Sequence, residues 1–212
     1  MKIKKLGHCC FVAEPKEGVR IMTDPGAFST LQSEEKSISA VLITHEHSDH
    51  LHVESLKRVL DNNPNALVIT NAAVGELLKE AGIDYKIVED GESLEVRGSV
   101  IRGFGNLHAE IYEDMSRVQN TGYMVDDLCY PGDAFENPNC KVDILALPVA
   151  GPWMRMKDAF LYAKLLKPRI SFPVHDAFIQ DWATFMWKWP GMVLPKFGVE
   201  FKKLEIGKEE NL

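Results

Sequence analysis

The stretch Thr44-His45-Glu46-His47-Ser48-Asp49-His50 concentrates ligand chemistry directly after the apolar run 40–43. The chain has seven histidines in 212 residues, and His45, His47 and His50 crowd together here with Asp49 between the last two. Neutral imidazoles and carboxylates are the groups that zinc, manganese and iron accept. In an extended segment His45 and His47, two residues apart, point the same way. Asp49 and His50 follow at a bend, where the chain can turn them toward a second ion. A solvated loop is ordinarily built from Gly, Asn, Ser and Lys, so this spacing points to metal binding rather than to a surface turn.

Three further groups stand in similar local contexts. His108 follows the strand-like 100–105, Asp133 closes Tyr130-Pro131-Gly132-Asp133, and His175 closes Phe172-Pro173-Val174-His175. Each could be delivered by the end of an apolar strand. A rigid sheet with ligands projecting from its strand ends is a sound way to hold a metal pair in place.

The elements that would position them read as follows. Residues 3–13 form a strand, Glu14-Pro15-Lys16-Glu17-Gly18 is turn chemistry, and 19–23 return as a hairpin. Residues 27–39 are a polar loop, and 40–44 a buried strand carrying the histidine cluster. Helices are expected over 52–60, 72–81, 157–166 and 178–189. Further strands are expected at 67–70, 85–88, 93–97, 99–104, 119–125, 127–130, 142–147, 170–174 and 199–206. Blocks of strands separated by single helices suit two sheets with helices on their outer faces better than a doubly wound parallel sheet. Neither an internal repeat nor a Pro-, Gly- or Ser-rich linker divides the chain, so residues 1–212 are read as one domain.

Composition narrows the class. Hydrophobic residues at 45% and charged residues at 26% are globular values. A formal net charge of −7 opposes a default interest in nucleic acid or anionic membrane. Bound dications would offset part of it. Cys9, Cys10, Cys129 and Cys140 form no CxxC spacing, and reduced, mostly buried thiols are expected. No apolar h-region follows the basic start, and no window approaches a membrane span, so the cytoplasm is the expected location.

Taken together, His45-x-His47-x-Asp49-His50 followed by His108, Asp133 and His175 resembles the metallo-β-lactamase superfamily across most of the chain. Gly7-His8-Cys9-Cys10-Phe11 and Thr23-Asp24-Pro25 further resemble its ascorbate-6-phosphate-lactonase-like branch of small metal-dependent hydrolases. The resemblance implies a four-layer αββα sandwich with a dinuclear site at one edge. One ion would take His45, His47 and His108. The second would take Asp49, His50 and His175, and Asp133 would bridge both. The nitrogen-rich set suits Zn2+, while similar sites accept Mn2+ or Fe2+.

Two dications ~3.5–4 Å apart bring a shared water toward a pKa of ~7, giving hydroxide that attacks an electrophilic carbonyl or phosphorus centre. Asp49 and Asp133 would be the catalytic carboxylates. The expected substrate is a small molecule carrying an ester or lactone, the alternative a small or cyclic phosphodiester. An assembly of identical chains is compatible with the sequence. A redox reading is disfavoured, because the superfamily's diiron members resemble a different pattern, with Glu where His47 stands, and usually carry a flavin domain.

Other residues carry weaker expectations. His8 reads as a core histidine, with support of the site or proton donation as the functional reading. Asp24 is either turn chemistry or the partner of a ligand histidine. His52 and Arg117 read as surface, and the alternative for Arg117 is a substrate anion. Trp153 and Arg155, in the exposed-looking loop 151–156, are candidates for a pocket wall. Phe178, Trp182, Phe185, Met186 and Trp189 read as core or a subunit contact.

Overall fold

A computed structural model describes residues 1–212 as fourteen strands and four α-helices. The first sheet has the spatial order Glu209–Asn211 (β14), Lys2–Gly7 (β1), Cys10–Lys16 (β2), Val19–Thr23 (β3), Ile38–Leu42 (β4), Leu67–Thr70 (β5) and Lys86–Ile87 (β6). Its pairs are antiparallel as far as β3 and parallel from β3 to β6. The second sheet runs Glu200–Phe201 (β13), Ile170–Val174 (β12), Ile144–Pro148 (β11), Leu128–Tyr130 (β10), Gly122–Val125 (β9), Ser99–Phe104 (β8) and Ser93–Val96 (β7). Here β13 to β10 are parallel, and β10 to β7 antiparallel.

Side-chain alternation along these strands builds three apolar layers. In β4 and just beyond it, Ala40 and Leu42 join the inter-sheet core, whereas Val41 and Ile43 face outward. In β11, Ile144 and Ala146 point inward while Leu145 and Leu147 point outward. The inter-sheet core holds 22 buried residues from both sheets, including Phe11, Tyr130 and Phe172. Burying each large apolar side chain contributes roughly 1.5–3 kcal/mol, so this layer dominates the cohesion of the sheets. Helices Val53–Asn62 (α1) and Ala72–Glu80 (α2) cover the first sheet through Leu56, Val59, Val74 and Leu78. Helices Met156–Leu166 (α3) and Phe185–Val193 (α4) lie on the second, α3 through Ala159, Tyr162 and Ala163 and α4 through Trp187. The result is the expected four-layer αββα sandwich. No helix is long and apolar enough to cross a membrane.

Four expectations about the fold are corrected. Residues 3–13 are not one strand: Gly7 (φ +129°) and His8 (φ +39°) reverse the chain, so β1 and β2 are antiparallel neighbours. The helix expected over 178–189 begins only at Phe185 and runs to Val193. Upstream of it, Ala177 and Asp176 are pinned by bonds to His8 and to Lys5, which hold the chain in turns. The strand expected over 199–206 is only Glu200–Phe201, and the edge of the first sheet is instead completed by β14. The aromatic run at 178–189 is not core either. Trp182 is 77% exposed, and Phe178, Phe185 and Trp189 are about half exposed.

Candidate metal centre

All seven expected ligand side chains meet at one end of the sandwich, where the sheets' strands terminate. Four ride on the segment after β4, and His108, Asp133 and His175 lie beyond the ends of β8, β10 and β12. The segment after β4 is fixed by its backbone. Thr44 N–H donates to Asp24 Oδ1 at 2.8 Å, and the Thr44 carbonyl accepts from Thr121 N–H at 3.0 Å and Asn71 Nδ2 at 2.8 Å. Gly26 lets the Asp49 backbone pass: a Cβ there would lie 1.8 Å from the Asp49 carbonyl oxygen. The His108 and Asp133 segments are tied to each other by Ala109 N–H donating to the Asp133 carbonyl at 2.8 Å.

One nitrogen each of His45, His47 and His108 lie within 4.8 Å of one another. Their hydrogen bonds indicate which nitrogens are free. The Thr44 hydroxyl donates to Asp24 Oδ2 at 2.7 Å, so it can accept from His45 Nδ1 at 3.0 Å, leaving Nε2 with its lone pair. His108 Nδ1 donates to the Ala109 carbonyl at 2.6 Å, again freeing Nε2. His45 Nε2 and His47 Nδ1 stand 3.1 Å apart, close to the roughly 3.4 Å between neighbouring nitrogens around a tetrahedral zinc.

The second group centres on Asp133. Its Oδ2 lies 2.9 Å from His175 Nε2 and 3.4 Å from His108 Nε2, and its Oδ1 lies 3.2 Å from His50 Nε2. Asp49 Oδ2 is 3.6 Å from His175 Nε2 and 3.8 Å from His50 Nε2. Buried and lacking any hydrogen-bond partner are His50 Nε2, His108 Nε2, Asp133 Oδ1 and both ring nitrogens of His175. These atoms approach closely without the alignment of hydrogen bonds. Orphaned buried polar atoms are costly, and a shared cation resolves several at once. The donor set therefore fits divalent metal.

Electrostatics agree. Burial, helped by neighbouring imidazoles, holds His45 well below its usual range and lowers His47, so both favour the neutral ligand form. Burial would raise Asp49 and Asp133. The His8 hydrogen bond and the charge of His50 outweigh it at Asp49, bringing it to about 2, and His50, His108 and His175 hold Asp133 well below the carboxylate range. Burial would lower His50 and His175, but Asp133 and Cys9 raise both. A field that attracts protons to these imidazoles attracts a dication too, and the two compete.

Asp24 is fully buried and accepts from Thr44, from His50 Nδ1 at 2.7 Å and from the Tyr130 hydroxyl. It thus fixes the His50 tautomer with Nε2 free. His8 Nδ1 accepts from Ala177 N–H at 3.2 Å, so its proton sits on Nε2, 3.2 Å from Asp49 Oδ2. Its ring lies 4.3 Å from that of His175, whose backbone N–H donates to the His8 carbonyl at 3.3 Å. Both histidines have positive φ, +39° and +57°, a strain of the kind stored at functional sites.

The remaining candidates divide. Trp153 is buried rather than exposed, with its ring 5.9 Å from those of His108 and His175. Arg155 is not brought to the cluster: it bonds Asp158 at the start of α3. His52 is exposed and bonds Ser55. Arg117 is exposed but lines a small recess with His47 and His108.

Sequence reasoning missed four contributors. Tyr130 carried no signal beyond its strand, and Cys9 lies with His8, His50 and His175 in a further ligand-capable group. Lys5, fully buried, bonds the Pro173 carbonyl at 2.8 Å and pairs with Asp176, tying β1 to the His175 segment. Phe28 packs its ring on His8 at 5.5 Å from a loop with no periodicity to read.

The family described as the beta-lactamase superfamily domain matches residues 2–175. Protein Rv0786c of Mycobacterium tuberculosis is 34% identical over 185 residues, covering 84% of this chain and 85% of that protein. The UPF0173 metal-dependent hydrolase Ta0764 of Thermoplasma acidophilum is 28% identical, covering 82% and 83%. The structure of Igni18, a metallo hydrolase from Ignicoccus hospitalis, superposes with a TM-score of 0.75 at 22% identity, over 99% of this chain and 97% of that one. The chain belongs to the metallo-β-lactamase superfamily, and its fold and relatives are those of a metal-dependent hydrolase.

Proposed function

We propose that the chain is a dinuclear hydrolase of small esters or lactones. His45, His47 and His108 would hold one divalent ion, Asp49, His50 and His175 the other, and Asp133 would bridge them. The nitrogen-rich donor set favours Zn2+. Bound there, the pair supplies an acidified water as nucleophile and positive charge for the oxygen that becomes anionic.

The chain's own residues do the positioning. His8 Nε2 donates to Asp49 Oδ2, the oxygen that faces the His50 and His175 nitrogens, and so fixes how this carboxylate is presented to the site. Asp24 holds His50 in the ligating tautomer, and the Ala109 carbonyl does the same for His108. Trp153 walls the site between the two ligand groups and limits access of bulk water.

The observation that carries this reading is the set of buried, unpartnered ligand atoms around Asp133. Elemental analysis of protein purified without a histidine tag should give about two ions per chain, predominantly zinc. A panel of lactones, carboxylesters and bis-aryl phosphodiesters should show turnover of the first two classes. Preference for phosphodiesters would replace the substrate class, and failure to retain metal would reject the reading altogether.

A further inference from the structure

Two phenylalanines stand half uncovered beside the candidate metal centre. Phe28 is 47% exposed and Phe178 is 50% exposed. Their rings meet edge-on, with centroids 5.8 Å apart and planes at 88°. Both pack on His8, at 5.5 Å and 5.4 Å, and Phe178 also lies 5.4 Å from the His175 ring. The loop after β3 and the turn after β12 thus bring apolar rings to the imidazoles that would serve the second ion. On the opposite side, His47, His108, Ile111, Met115 and Arg117 line a recess of only about 50 Å³. At roughly 10–15 Å³ of such space per water, it holds about four waters, room for a small group only.

The two sides are therefore unequal: one admits a few atoms, and the other offers an open apolar wall. Apolar surface left exposed at the rim of a polar site marks where a ligand's apolar portion is covered. Resting on the hydrolase reading, we propose that Phe28 and Phe178 form a clamp for the apolar acyl arm of the substrate. The preferred substrate is then an ester or lactone with an extended acyl chain and a compact alcohol portion. In the reaction water forms the new bond to the acyl carbon, and the acyl carbon–alkoxy oxygen bond breaks. The alkoxy oxygen leaves as alcohol with one proton, and the other proton is released as the acid becomes a carboxylate.

The test uses the carboxylate products as ligands. Zinc-loaded protein is titrated calorimetrically with acetate, butyrate, hexanoate and octanoate. Affinity should rise about three- to fourfold per added methylene until the chain outruns the rings. In Phe28→Ala and in Phe178→Ala the octanoate-to-acetate ratio should fall about tenfold, with acetate binding and zinc content unchanged. If Phe178→Ala loses zinc, Phe28→Ala carries the test, because its ring partners are His8 and Phe178 rather than a candidate ligand. Octanoate binding no tighter than acetate to the native protein, or an unchanged ratio in the variants, overturns the clamp. Chain-length-dependent binding without ester turnover upholds the apolar clamp and rejects the ester and lactone reading of the substrate. Turnover without chain-length dependence rejects the clamp alone.

Discussion

Asp133 places one carboxylate where three candidate ligand imidazoles converge, within 3.4 Å of His50, His108 and His175. Removing it leaves those imidazoles to repel one another when protonated and deprives both proposed ions of their shared anion. Asp133→Ala should reduce hydrolysis to background and bound metal well below two ions per chain. Full activity in that variant would reject the bridging role. Asp24 acts through His50, so Asp24→Asn should keep the fold while weakening metal affinity by about 10–100-fold. Competition against a chromophoric chelator measures this, and an unchanged affinity would mean that the Asp24–His50 bond is incidental. At this scale the convergence of the seven candidate ligands was legible because coordination chemistry restricts residue type and spacing. The side chains that hold them were less so. The partner of His8 depends on a chain reversal at Gly7, and Tyr130 meets Asp24 from 106 residues away.

Glu35 links elements rather than atoms of the site. Its carboxylate pairs with Lys4 of β1 and Arg20 of β3, each at 2.6 Å, and is buried. Burial alone would raise this carboxyl, but the bonds to Lys4 and Arg20 outweigh it and hold it below its ordinary value of 4.5. A depressed folded-state value stabilises the fold fully above the unfolded value, near pH 4.5, and that contribution fades as pH falls through the folded value. Glu35→Gln should cost about 1–2 kcal/mol at pH 7 and much less near pH 3, as urea titrations at both pH values would measure. An equal cost at both would exclude the ion pairs as its source. Most elements were legible because hydrophobic periodicity sets them locally, as in β5, β8, β12 and α3. The misreadings fall where tertiary bonds override periodicity. Residues 178–184 have helical spacing of aromatics, yet the chain is held at Asp176 and Ala177. The short β14 has no apolar pattern of its own and exists because β1 offers it an edge.

For the whole molecule, ions that bind the folded chain and not the unfolded one add their binding free energy to stability. Stripping them with a chelator should lower Tm by roughly 10 °C, taking about 4 kcal/mol of linkage and 2–4 °C per kcal/mol at this size. Calorimetry with zinc restored tests reversibility, and an unchanged Tm would argue against ions bound at the junction. The αββα architecture was legible from the grouping of strands, because each apolar face must be covered. The mouth of the site was not, since half-exposed rings in loops obey no repeat. The division of ligands between the sheets has a mechanical consequence. With four side chains anchored on one slab and three on the other, a cation pair would rivet the slabs along a single margin. Depriving the protein of metal should therefore open it like a book from that margin. Amide exchange should quicken first along residues 43–50 and 172–176, while the opposite strand ends, where Lys16 pairs with Val19 and Val125 with Leu128, keep their protection.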